Sequence, residues 1–508
     1  MDSSYKKAKT KFTDKSMFKL NTFFSRIMSI EPIQRQSIVS FIWQIAFTFI
    51  GFLSTIYFAH TVGASVLGGY FIFLAYLGII TLITDGGFGE AAIKRISEGE
   101  EQDAYFSAFV VLRSLFVTLV LVVLIIFRSY FDDLNDSGIF IWLLLALIVS
   151  LLQGAVSSGI AGCGKIGIHS TGTFINNISR IVVQVVAVFL GFGVAGLAGG
   201  FVVGLFVGSI VQLRFFDLRF VRFEWKHIKN LSTFSLWVFL ISSGMVVYST
   251  ADTIMLGYYL NNADVGVYRI VLQFTALASF ATYALRGALW PRVSRWGKTG
   301  EIGLIEDSLS RAFTYSLVLA IPMFVGGVLL GDKLLYYFYG AEFGRGYMTM
   351  VVLFIVQVVN IFQFFFTSYL SALDHLQDLF NVIVVAVVAN VALNAIFIPV
   401  IGIEGAALAT LVTMGLNAIL ALRILSKILT IKVESESLMN ILKASFLMLL
   451  FVVGYRALVP LSNVWLTLVP VVLGGGIYGF FLLKFDRNIY SELKGIMMQM
   501  NFMWPTWL

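Results

Sequence analysis

Fourteen apolar runs of about 18–28 residues follow one another along this 508-residue chain. As a helix, at ~1.5 Å per residue, each is long enough to cross a hydrocarbon layer ~30 Å thick. Lipid gives an exposed peptide group no hydrogen-bond partner, so only helices or a closed barrel can fill such a layer. Barrel strands would be about ten residues long with alternating polarity, which these runs are not. The sequence therefore predicts an all-α, polytopic membrane protein. Its spans lie near 37–59, 68–90, 105–127, 138–160, 173–191, 194–213, 233–257, 265–285, 311–331, 347–371, 379–398, 403–425, 438–457 and 464–484.

The positive charge tests this map. With the N-terminus cytoplasmic, 28 of the 35 Lys and Arg residues fall in inside loops and tails. Only Arg128, Lys333, Arg345 and Arg456 fall outside, and Arg113, Arg180 and Arg269 fall within spans. One missed or invented helix would scramble so steep a bias. Both termini are thus expected in the cytoplasm, and the protein in the cytoplasmic membrane. The net charge of +7 is explained by topology and anionic headgroups, not by nucleic acid.

Charged residues make up 12% of the chain, about half the soluble norm of ~25%. No soluble segment is large enough for a nucleotide-driven motor or a transferase domain. Cys163 is the only cysteine and the four histidines are scattered among loop ends, so the sequence offers no metal site and no catalytic set. Glycine patterns at 162–167 and 191–196 mimic nucleotide loops, but they join spans rather than a strand and a helix. No cofactor is expected. The basic segment 1–36 runs into a full-length span without a small-residue cleavage site, so no cleavable leader is expected.

An internal repeat organises the chain. "VLGGYFIFLAYLGIITLITDGGFGEAAIKRIS" (66–97) aligns with "DVGVYRIVLQFTALASFATYALRGALWPRVS" (264–294). Gly68 and Tyr70 match Gly266 and Tyr268; after a one-residue gap Arg95 and Ser97 match Arg292 and Ser294. A second echo pairs "GFGVAGLAGG" (191–200) with "VIGIEGAALA" (400–409). The expected division is a basic N-tail, 1–36, able to form an interfacial helix, and an N-lobe of six spans, 37–213. An interfacial linker, 214–232, leads to a pseudo-symmetric C-lobe of six spans, 233–427. An extra helix pair, 428–484, and a C-tail, 485–508, complete it.

Charges inside spans mark candidate sites, since each costs at least ~2.5–3.5 kcal/mol to insert. Arg180 lies about 10 Å into span five, with Asn176, Asn177 and Gln184 on its face. It reads either as an anion contact in a hydrated cavity or as a structural, snorkelling charge. Asp252 and Arg269 lie near the outer ends of consecutive spans and are expected to pair or to serve as a gate or coupling site. Asp85 and Arg113 lie near the cytoplasmic ends of spans two and three, where solvation or snorkelling also accounts for them.

The two aligned repeats, "ADTIMLGYYLNNADVGVYRIV" (251–271), "IPVIGIEGAALATLVT" (398–413) and the six-plus-six-plus-two pattern resemble one family. It is the O-antigen (Wzx-type) polysaccharide flippase group of the multidrug/oligosaccharidyl-lipid/polysaccharide exporter superfamily. The resemblance implies a non-enzymatic transporter that moves a polyprenyl-(pyro)phosphate-linked oligosaccharide between leaflets by alternating access. The charges and amides inside spans supply the candidates: Arg180, Arg269, Arg113 and Asn177 for substrate contacts, Asp252 and Asp85 for gating or coupling, with Na+ or H+ as the candidate coupling ion. Membrane lipids and the glycan polymerase or glycosyltransferase machinery are the partners the resemblance implies. A lipid II flippase and a multidrug or cation antiporter are the alternatives within the superfamily.

Overall fold

The computed structural model describes residues 32–130 and 138–499 of the chain. The expected N-tail helix lies outside the described residues. Fifteen α-helices make up the described part. They are α1 (Pro32–Asp85), α2 (Phe88–Ser97), α3 (Gln102–Ile126), α4 (Phe140–Gly162), α5 (Ile166–Phe189), α6 (Gly193–Leu213), α7 (Trp225–Tyr259) and α8 (Asn262–Thr275). There follow α9 (Phe280–Thr299), α10 (Ile302–Tyr339), α11 (Tyr347–Ala372), α12 (Leu376–Leu425), α13 (Ser435–Leu458), α14 (Val464–Phe485) and α15 (Arg487–Gln499).

Twelve helical stretches are long and apolar enough to cross a membrane. Two of them are kinked within one or two residues. In α1 the break is Gly63, at φ 74° and ψ 179°; in α12 it is Ile401–Gly402, with Gly402 at φ 65°. A left-handed φ is open to glycine without steric cost, so these residues let a helix change direction within one residue or two. Each bent helix therefore supplies two segments, and the all-α polytopic fold with about fourteen crossings follows from the apolar runs.

Packing divides the chain into two compact units. Of the described residues the first holds 32–55, 83–130 and 138–239. Its buried centre is Phe88, Ala91, Ala92, Ile96, Tyr105, Phe106, Phe109, Ala155 and Leu231. The connection after α6 is extended and tied down across this centre. The Arg219 amide donates to Asp103 Oδ1 at 2.9 Å and the Val221 amide to Ser107 Oγ at 2.8 Å. Phe216, Leu218 and Phe223 pack inward. Phe220, Arg222 and Trp225 remain exposed.

The second unit holds, of the described residues, 56–82 and 240–499. Its last two spans dock on α10, where the Tyr478 hydroxyl donates to the Val318 carbonyl at 2.7 Å. Asp486 starts the amphipathic α15 by accepting from the Asn488 and Ile489 amides at 3.1 and 3.0 Å. That satisfies donors a helix end otherwise leaves unpaired.

Candidate functional site

The second unit buries one carboxylate deep among oxygens. Asp252, on α7, is 8% exposed. Its Oδ2 accepts from the Tyr268 hydroxyl of α8 at 2.7 Å and the Thr410 hydroxyl at 2.8 Å. Its Oδ1 accepts from Asn394 Nδ2 at 2.6 Å. Asn390 and Asn394 stand four residues apart before the break in α12, hence on one face, and Asn394 Nδ2 also donates to Asn390 Oδ1 at 3.1 Å. Thr410 and Thr413 come from the segment after the break, and Asn390 Nδ2 donates to Thr413 Oγ1 at 3.4 Å. The bend at Gly402 is what brings these threonines opposite the asparagines.

The carboxylate is met by neutral donors. The expected ion pair with Arg269 is corrected: no Lys or Arg of the described residues lies within 4 Å of Asp252. Arg269 instead lays its guanidinium over the Phe71 ring at 5.6 Å. The physical reason is local, since Tyr268 takes the carboxylate and leaves its neighbour on the adjoining face of α8. Asn394 Oδ1 is buried beside the carboxylate and has no hydrogen-bond donor. The carboxylate and the orphaned amide oxygen together line a cradle with oxygen atoms, the donor type a small hard cation prefers.

Beside it, two matched glycines of the repeat touch. A Cβ at Gly68 would overlap the Asn262 carbonyl oxygen and press on the Gly266 amide; a Cβ at Gly266 would overlap the Ala64 carbonyl oxygen. The backbones of α1 and α8 thus cross at the closest approach side chains allow. The crossing is fastened at the Gly63 bend, where the freed Ala64 amide donates to Glu342 Oε2 at 2.9 Å. His60 Nε2 bonds the Tyr337 carbonyl at 3.2 Å.

In the first unit Arg113 and Asp85 come together. Arg113 Nη1 meets Asp85 Oδ1 at 2.6 Å, and Nη2 donates to the Ser150 carbonyl at 3.2 Å. The arginine side chain is 8% exposed and the aspartate 29%, so neither is simply solvated. Arg180 is half-buried, its guanidinium 6.0 Å from the Phe201 ring centre. Its stripe meets the glycine row of α6: Asn176 and Arg180 lie under Gly204, and Gln184 donates to the Leu197 carbonyl at 2.7 Å. Asn177 is half-buried one residue round the helix from Asn176.

At the loop after α2, the Lys226 ammonium, hydrogen-bonded at 2.8 Å, and then His227 hold the Glu101 carboxyl below its ordinary range against the opposing effect of desolvation. Burial pushes the Cys163 thiol up, which makes it a poor nucleophile at neutral pH. Among the described residues no three of His, Cys, Asp and Glu gather as metal ligands.

Sequence reasoning passed over Asn394, Thr410, Glu342 and Arg286. The first two carried a signal: amides and hydroxyls at helical spacing inside apolar runs. Glu342 lies outside the apolar runs and gave none. Arg286 was assigned to a loop because its apolar run ends there, yet α9 continues thirteen residues past it.

A family model described as polysaccharide biosynthesis protein matches residues 33–296, and one described as MatE matches residues 238–396. The probable low-salt glycan biosynthesis flippase Agl15 of Haloferax volcanii is 26% identical over 464 residues, 91% of this chain and 98% of that protein. The probable flippase AglR of the same organism is 27% identical over 475 residues, 92% of this chain and 98% of its own. Among solved structures, a lipid II flippase MurJ in an inward closed conformation shares the fold. Its TM-score is 0.73 at 17% identity, over 89% of this chain and 100% of MurJ. A multidrug resistance MATE family transporter matches with a TM-score of 0.60 at 14% identity, over 74% of this chain and 92% of its own.

Proposed function

The chain belongs to the family of polysaccharide biosynthesis proteins, and from that premise we propose that it is a flippase for a lipid-linked oligosaccharide. The substrate is a glycan on a polyprenyl phosphate or pyrophosphate, carried from the inner to the outer leaflet of the cytoplasmic membrane. The observation that carries this reading is similarity over nine-tenths of the chain to two proteins named as flippases, in a sequence that places arginines inside its spans. The transporter is not an enzyme; it supplies a path for a headgroup that lipid excludes.

In this reading two repeated lobes, 37–213 and 233–427, rock about the axis along the membrane normal, with both termini cytoplasmic. Arg180 with Asn177, and Arg269, offer guanidinium and amide donors to the anionic and sugar groups. Arg113 is held by Asp85 and is available to an anion only when that pair opens, so Asp85 acts as its gate. The Asp252 cradle takes the coupling ion, Na+ or H+. Loading neutralises the carboxylate and so changes what Tyr268 and the nearby Gly68–Gly266 crossing experience. Glycan polymerase or glycosyltransferase machinery supplies and consumes the substrate.

Deleting the gene tests the reading. Lipid-linked oligosaccharide should accumulate on the inner leaflet and surface glycan should fall, both restored by the wild-type chain. Unchanged surface glycan and no accumulation overturn it.

A further inference from the structure

Near the start of α10 the second unit holds a cavity of about 470 Å³. Its walls are the beginning of α10, the connection from α12 to α13, the first turn of α13 and the first turn of α15. These residues fall at or beyond the ends of the expected spans, within reach of water. The frame is fixed by side chains. Glu306 Oε1 accepts from the Thr430 amide at 2.6 Å, and Glu434 Oε2 from the Thr314 hydroxyl at 3.2 Å. Asp486, which caps α15, accepts from Asn440 Nδ2 of α13 at 3.3 Å. Glu492 of α15 takes the Tyr315 hydroxyl and, at 3.4 Å, Arg311 Nη1.

Charge is unbalanced in this space. Glu306, Asp307, Glu434 and Glu436 line it together with Arg311 and Lys432. Arg311 is taken by Glu492. With that fifth carboxylate counted, five negative groups meet two positive ones, an excess of three. The N-terminal end of α13 offsets only about half a charge. Asp307, Glu436 and Lys432 are exposed and make no hydrogen bond or ion pair with any described residue.

Two buried hydroxyls are also unmet. Ser310 is 8% exposed and Ser437 2%. Both line the cavity, and neither hydroxyl is hydrogen-bonded to a described residue. Their oxygens are not enclosed, so the exposure they keep is into the cavity. A buried hydroxyl without a partner is costly, and a ligand N–H removes the cost. Among the described residues no three of His, Cys, Asp and Glu gather as metal ligands. These carboxylates are therefore too spread to converge on one ion. They suit a ligand whose own positive charges are set apart along a chain.

We propose that this cavity binds a linear polyamine, its ammonium groups meeting Asp307 and Glu436 and donating to the Ser310 and Ser437 hydroxyls. An ammonium offers donors and no acceptor, which carboxylate and hydroxyl oxygens both satisfy. Occupancy ties α15 and the connection after α12 to α10. The site is independent of the flippase reading.

The test is titration calorimetry on the purified full chain in detergent at constant ionic strength. Spermidine, magnesium chloride and a lysine-rich decapeptide are the separate probes. Wild type is expected to bind one spermidine and to keep it in equimolar magnesium. Asp307→Asn and Glu436→Gln should each weaken binding about threefold to tenfold; neither side chain holds another, so the fold is spared. Ser437→Ala should weaken it about twofold to tenfold. Lys432→Ala should tighten it, because a repelling charge is gone, and a purely structural role of these side chains gives no such gain. Equal binding by wild type and the Asp307→Asn, Glu436→Gln double variant overturns the site. Displacement by equimolar magnesium also overturns it, as the mark of diffuse counter-ions. A wild type that binds no spermidine overturns it too, and binding of the decapeptide in that case marks a docking surface for a basic protein instead.

Discussion

Replacing Asp252 with Asn removes the charge from the cradle while keeping its shape. In the wild type the carboxylate accepts at 2.6, 2.7 and 2.8 Å from Asn394, Tyr268 and Thr410. An asparagine oxygen turned toward Tyr268 and Thr410 keeps two of these bonds. Its amide then faces Asn394, whose carbonyl oxygen is buried without a donor and turns over to accept, at the cost of the bond from Asn394 Nδ2 to Asn390 Oδ1. The bonds retained are neutral rather than charge-assisted, a loss of roughly 1 kcal/mol for each. Against this, a buried carboxylate without a counter-ion carries a penalty of several kcal/mol, which the substitution lifts. Asp252→Asn should therefore be at least as stable as wild type in sodium-free choline buffer. Sodium at a hundredfold its Kd should stabilise the wild type by about 2.7 kcal/mol and the variant not at all, if Na+ is the ion. If H+ is the ion, neither protein responds to sodium. Thermal unfolding in detergent, at constant ionic strength, reads both effects. A variant that keeps the wild-type cation response refutes the reasoning, and so does one several kcal/mol less stable in choline.

Three more outcomes are expected. Gly68→Val should hold the α1–α8 crossing apart and raise external thiol labelling of a cysteine placed at Ile72, whereas Gly51→Ala, where a Cβ meets open space, should not. Arg113→Ala should cost about 2–4 kcal/mol by leaving Asp85 unpaired, read as lost folded yield, and the added Asp85→Asn should recover most of it; no recovery would mean the pair is not what holds Arg113. In a Cys163→Ser chain, single cysteines at Ser462 and Lys298 should label from opposite faces of the membrane, and labelling from the same face would break the fourteen-crossing map.

The spans were legible because lipid removes every alternative to a helix for an apolar run, so length alone decides. The placement of Lys and Arg supplies an expected orientation, which the labelling experiment tests. The bends at Gly63 and Gly402 were visible only as short gaps between runs, since nothing in a run says that the helix resumes at once. The partners of Asp252 were harder. Asn394 and Thr410 lie over 140 residues away in sequence, and a single chain does not say which spans adjoin. Arg269 was read as the partner because it is near in sequence and oppositely charged; the neighbouring Tyr268 won through its position on the helix. Arg286 was hidden by the rule that ends a span where the apolar run ends, whereas packing against α11 carries α9 onward.

The central claim is that this chain moves a lipid-linked glycan between leaflets. Purified protein in liposomes, loaded with a fluorescent polyprenyl-pyrophosphate oligosaccharide, tests it directly when a membrane-impermeant quencher reports the leaflet. The account expects wild type to expose internal substrate to the quencher faster than empty liposomes do, with the rate falling in Asp252→Asn and in Arg180→Ala. Protein-containing liposomes that quench no faster than empty ones, with the chain shown to be folded, would contradict it.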